Sequence, residues 1–320
     1  KEMKSSVLHH LKFQLLLIGL LLAAWVWLFS PGMSTQWIFL ISLLLITGIP
    51  HGSLDYYIEQ SQAKVAGSSF SPIRFFVRYL LNMIVYAICW YYFPLIAFLL
   101  FILLTAYHFG EIDWPFHHSG GLNTLLFFSM GLFFIIFTIT SHITETASLL
   151  AVITGNAISE KDWLLYGPDL MRFSGIGIFL LVCIIPFYLH RLAFQTPQIA
   201  GWCFQTVAWC IFIYAMPLFF GFAFYFGAWH SLLSFNLIRN QLSLPANWVG
   251  WRQLILKALP FSLVAFAGIG ALVYWHFSYS RFTINVAYIF MGIAILTLPH
   301  LQVFTRLVQL VNTNTATEKN

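Results

Sequence analysis

Four of the eleven histidines stand inside long apolar runs: His51, His108, His230 and His300. Neutral imidazole nitrogen suits Fe, Cu and Zn, and an ionisable group placed within lipid is costly enough to mark function by default. The other histidines read as interfacial polar residues. His9 and His10 precede the first apolar run, His117, His118 and His142 fall in loops, and His190 and His276 sit at span ends. Each of the four lies five to seven residues before the end of its helix, roughly 8–10 Å inside at about 1.5 Å per residue. All four helices run in the same direction in the span count given below, so the imidazoles share one depth. A metal site explains that better than four separate core histidines.

The neighbouring residues fit such a site. His51 follows Pro50 and His300 follows Pro299; a proline inside a helix frees a carbonyl and bends the chain, which is tolerated at membrane depth where it lines an enclosed cavity. Asp55 is four residues after His51 and Glu111 three after His108, so each shares a helical face with its histidine and is placed to orient it from behind. Asp113 reads equally as a solvated helix-end charge or as part of the site. Phe222, Phe224, Tyr225 and Phe226, just ahead of His230, can wall a cavity for a long planar molecule or simply pack.

These residues need helices that cross a bilayer, and the composition supplies them. Of 320 residues 60% are hydrophobic and 8% charged, against about 25% charged in an ordinary globular domain. The expected fold is all-α: a polytopic membrane helix bundle of about ten (eight to ten) transmembrane helices, forming a single integral membrane domain over residues 1–320. With roughly 20 apolar residues per crossing, the spans fall at about 12–30, 36–58, 73–92, 93–113, 121–140, 170–189, 199–216, 218–236, 259–277 and 285–306. The stretch 141–169 reads as a loop, and the run from Leu15 to Phe29 as a retained helix instead of a cleaved leader.

Charge orients the spans. Ten spans with an inner N-terminus leave twelve positives inside and only Lys161, Arg172 and Arg281 outside, as the bias of Lys and Arg toward cytoplasmic loops requires. Both termini are therefore expected in the cytoplasm. The 15 Lys and Arg form no dense patch, which excludes nucleic acid as a partner. Cys89, Cys183, Cys203 and Cys210 sit in apolar runs with no CxxC pair and read as buried hydrophobes.

At the same residues the sequence resembles the Brp/Blh family of bacterial and archaeal membrane β-carotene 15,15′-dioxygenases. The matching segments are Gly48-Ile49-Pro50-His51-Gly52-Ser53-Leu54-Asp55, His108-Phe109-Gly110 with Asp113, His230-Ser231 followed by Phe235, and Leu296-Thr297-Leu298-Pro299-His300. They run in order from about residue 40 to 305. The resemblance implies O₂-dependent cleavage of the central double bond of β-carotene into two retinal molecules at Fe(II), in the cell inner (plasma) membrane, with hand-over of retinal to a rhodopsin. His51, His108 and His230 match the family's iron ligands. The family has a second histidine one helical turn after the position of His230, and here that residue is Ser234. Serine is a poor neutral iron ligand, so three histidines serve or His300 is recruited as the fourth; His300, at the right depth, is the favoured choice, with Asp55, Glu111 and Ser234 behind the ligands.

Three rival readings compete with this one. A di-iron membrane desaturase or hydroxylase needs clustered H-x-x-x-H and H-x-x-H-H boxes, which are missing. A non-catalytic carotenoid- or retinal-binding membrane protein derived from the family is the alternative that Ser234 favours. A proton or ion relay does not fit histidines gathered at one depth.

Overall fold

Proline and glycine set the frame. Span one ends where Ser30 turns through a left-handed φ of 42° ahead of Pro31-Gly32. Ser71 caps span three by accepting from the Arg74 amide at 3.4 Å, with Pro72 at the first helical position, where its missing N–H would have had no helical partner. Spans three and four, which nearly abut in sequence, are separated at Phe93 by a backbone φ of −136° ahead of Pro94. Met216-Pro217 divides spans seven and eight in the same way.

A computed structural model describes residues 2–116, 121–192, 194–279 and 286–317. His117, His118, Arg281, Lys1 and Lys319 lie outside them, as do the side chains of Lys4, His9 and His276. Ten helices among the described residues are long and apolar enough to cross a membrane: His10–Phe29, Met33–Val65, Pro72–Tyr92, Pro94–Asp113, Gly121–Ser141, Glu160–Arg191, Thr196–Ala215, Leu218–Gln241, Trp248–Ala271 and Phe290–Leu307. No strand occurs among these residues. The all-α polytopic bundle expected from composition is therefore observed, with ten spans and not eight. Exposed side chains such as Trp27, Ile73 and Tyr91 give the chain a surface suited to lipid.

Several bounds differ from expectation. The stretch 141–169 holds a short helix, Ile143–Ile153, followed by a span that starts at Glu160 under a Ser159/Asp162 capping box. The ninth span starts at Trp248 and runs through Pro260. Among the described residues three π-helical turns interrupt the spans, at Leu44–Gly48, Leu180–Ile184 and Phe224–His230. The first two lie directly ahead of Pro50 and Pro186, and a widened turn accommodates a proline that cannot donate to the ladder.

The chain divides into two units. The first comprises Lys1–Lys12, Ile41–Phe101 and Phe226–Asn320. In it the last helix packs against the third span and the segment Asp55–Val65, joined by Asn82 Nδ2 donating to Gln302 Oε1 at 2.8 Å and Gln62 Nε2 to the Val303 carbonyl at 3.4 Å. The ninth span lies against Ile49–Gly52, where the Ser262 hydroxyl meets that of Ser53. The second unit comprises Phe13–Leu40 and Ile102–Tyr225. Its spans four and five meet backbone to backbone: a Cβ on Gly110 would stand 1.9 Å from the Phe127 carbonyl oxygen, and one on Gly131 1.9 Å from that of Ala106.

Candidate metal centre

In the first unit, three of the four histidines come together. His51 rides on the short helix Ile49–Gly52, directly after the π turn Leu44–Gly48, and His230 closes the π turn Phe224–His230. Turns of this kind recur at functional sites because they re-aim side chains that a regular helix would splay. The two spans touch at them. Thr47 Oγ1 donates to the Gly227 carbonyl at 2.5 Å as well as to its own Leu43 carbonyl at 2.8 Å. Gly227 is required there, since a Cβ would lie 2.7 Å from that of Leu43. This close approach leaves the His51 and His230 rings 5.6 Å apart, edge to face.

His300 comes from the tenth span. Its ring centroid is 5.0 Å from that of His51, and the two offer ring nitrogens within 4.8 Å of each other. All three imidazoles are buried. Phe226 stacks on His230 at 6.1 Å, Phe235 stands edge-on to His51 at 6.3 Å, and Phe304 packs on His300 at 5.4 Å.

Hydrogen bonds set which nitrogen of His300 and of His51 carries the proton. His300 Nδ1 lies 2.8 Å from Asp55 Oδ1; with Asp55 ionised, and so only accepting, the proton is on Nδ1 and the lone pair on Nε2. His51 Nδ1 lies 3.3 Å from the Thr47 carbonyl, which again only accepts. Both rings are thus held in the tautomer in which Nε2 ligates. Tyr79 in turn donates to Asp55 Oδ2 at 3.1 Å, so the carboxylate is fixed from two sides. The donor set, buried imidazoles backed by a hydrogen-bonded carboxylate, fits a borderline metal ion such as Fe(II), Cu or Zn.

Asp55 therefore differs from expectation in its partner. The helix of His51 ends at Gly52, and Asp55 begins the next one after the Ser53-Leu54 turn. Asp55 makes its hydrogen bond to His300, on another span. Ser234 is buried, and its Oγ donates to the His230 carbonyl at 2.8 Å; it braces the backbone that carries His230.

His108, Glu111 and Asp113 belong to the second unit, and all three are buried. Asp113 is not a solvated helix end, because it accepts from Tyr225 Oη at 2.5 Å. Tyr225 packs on Phe109, Phe134 and Trp209. Of the aromatic run before His230, Phe224 and Tyr225 pack on other aromatic rings, and Phe226 stacks on His230. His142, expected in a loop, caps Ile143–Ile153 and bridges Glu145 Oε2 and the Ile213 carbonyl, both at 2.9 Å. Thr47 and Tyr79 were not singled out from sequence. Thr47 had a local signal, standing one turn ahead of His51; Tyr79 had none.

A family model described as Beta-carotene 15,15′-dioxygenase matches residues 41–308, a stretch that holds all four intramembrane histidines. The chain belongs to this family. A relative named Beta-carotene 15,15′-dioxygenase, from an uncultured marine bacterium 66A03, is 24% identical over 274 residues, covering 82% of this chain and 90% of the relative. No solved structure matches the chain. Among members of the dioxygenase family, then, this one brings His51, His230 and His300 together within its first unit.

Proposed function

We propose that the protein cleaves the central double bond of β-carotene with O₂, giving two retinal molecules, at one Fe(II) held by His51, His108, His230 and His300. The observation that carries this reading is the buried imidazole cluster of His51, His230 and His300 in a chain of this family. His108 joins the set on its matching depth in the sequence and on its His-Phe-Gly segment.

Bound iron would supply the electron exchange that lets O₂ react with a closed-shell polyene. In the net reaction the carbon–carbon and O–O double bonds break and two aldehyde C=O bonds form, so no proton or external reductant is consumed. The chain's own residues position and enclose. Asp55, held by Tyr79, keeps the His300 Nε2 lone pair available, and the Thr47 carbonyl does the same for His51. Phe226, Phe235 and Phe304 exclude water and present flat faces to a polyene. A carotenoid dissolved in the bilayer reaches such a protein from lipid, and retinal leaves the same way toward a rhodopsin. The setting is the cell inner membrane, with both termini cytoplasmic and the whole chain acting as one membrane domain.

A second reading has one specific observation in its favour. The Ser234 hydroxyl is spent on the backbone at the position where the family has a histidine, which suits a carotenoid- or retinal-binding protein without turnover. Purified iron-loaded protein incubated with β-carotene under O₂ and under argon separates the two. Consumption of the carotenoid under O₂ alone supports the dioxygenase; intact β-carotene retained under both gases supports the binding protein.

A further inference from the structure

Away from the histidines, within the first unit, a cavity of about 580 Å³ is lined by Glu59, Gln62 and three arginines, Arg74, Arg78 and Arg306. Only the fold gathers these cations, since Arg306 lies on the last helix and the other two on span three. Arg78 is paired with Glu59. Arg74 and Arg306 are exposed and have no ion pair among the described residues. Three guanidinium groups thus meet one lining carboxylate, and two positive charges stay uncompensated. The Ser68-Ser69-Phe70-Ser71 loop, entered through Gly67 at φ 64°, adds hydroxyls to the rim. Val65, Ile73 and Val77 beside it are 67%, 77% and 61% exposed, so apolar surface begins where the charged cavity ends.

We propose that this cavity binds the phosphate group of an anionic phospholipid. Guanidinium forks match phosphate oxygens bidentately, hydroxyls donate to them, and the flanking apolar side chains accept acyl chains that a free anion lacks. Each basic residue near a membrane surface contributes about 1 kcal/mol toward an anionic headgroup. Losing two should weaken binding roughly ten- to thirtyfold.

The test uses the full chain purified in detergent, with lipid retention read by native mass spectrometry and melting by thermal shift. The probes are phosphatidylglycerol, phosphatidylcholine and inorganic phosphate. The expected result is preferential retention of phosphatidylglycerol, weakened roughly ten- to thirtyfold in Arg74→Gln/Arg306→Gln and weakened less in Arg74→Lys/Arg306→Lys, which keeps the charge without the bidentate fork. Iron content and lipid-free melting should match wild type in both. Equal phosphatidylglycerol retention by wild type and the Gln variant would overturn the site. Protection by inorganic phosphate alone, as strong as that by phosphatidylglycerol, would overturn the lipid assignment in favour of a free anion.

Discussion

Asp55 reaches across from the second span to set the proton of His300, and Tyr79 holds Asp55 in turn. Removing such a partner behind a ligating imidazole typically weakens metal binding about 10- to 100-fold. Asp55→Ala should therefore lose iron to a chelator at a concentration that leaves wild type loaded, with Tyr79→Phe less affected; identical chelator profiles would show that the carboxylate plays no part in holding metal. The neighbouring question is Ser234. Its hydroxyl bonds the His230 carbonyl, so Ser234→Ala should retain most iron, whereas His300→Ala should not. Ser234→His puts two imidazoles at i and i+4 on one helix face and should keep or strengthen iron binding. Elemental analysis of the three variants decides it, and loss of iron from Ser234→Ala with retention by His300→Ala would make helix position 234 the fourth site.

At the scale of elements, the histidines owe their placement to close helix contacts that only glycine permits. Gly110 follows His108 by two residues, and its Cα faces the Phe127 carbonyl, a backbone atom that cannot swing aside. Gly110→Ala should cost about 1–3 kcal/mol or more through overpacking and lower the melting temperature. Gly175→Ala, where an added Cβ meets nothing within 4 Å, is the control that should melt like wild type; equal melting of the two variants would mean that spans four and five are not packed this closely. Much of this level was legible beforehand. Runs of about 20 apolar residues bounded by proline and polar clusters mark crossings plainly, so all ten spans were found. The helix Ile143–Ile153 was missed because it is too short to carry that signal. The π turns beside His51 and His230 have no residue signature, and the Asp55–His300 pair joins residues far apart in the chain, where local spacing is silent. Reading Asp55 by its i+4 distance from His51 paired it with that histidine, whereas its hydrogen bond goes to His300.

For the whole molecule, the asymmetry of Lys and Arg predicts ten spans with both termini inside. A green fluorescent protein fused at the C-terminus should fluoresce, and alkaline phosphatase fused after Ala157, in the connection between spans five and six, should be active; the reverse pattern would invert the topology. A helix bundle with a buried histidine cluster and an apolar exterior is what the proposed chemistry on a bilayer-dissolved carotenoid requires. The most direct test of that account is the stoichiometry of products under O₂, with retinal and residual β-carotene quantified by chromatography from wild type and His51→Ala. The expected result is two retinal molecules for each β-carotene consumed, with no longer apocarotenals, and no retinal above background from His51→Ala. Fragments of unequal length from wild type, or undiminished retinal from His51→Ala, would contradict it.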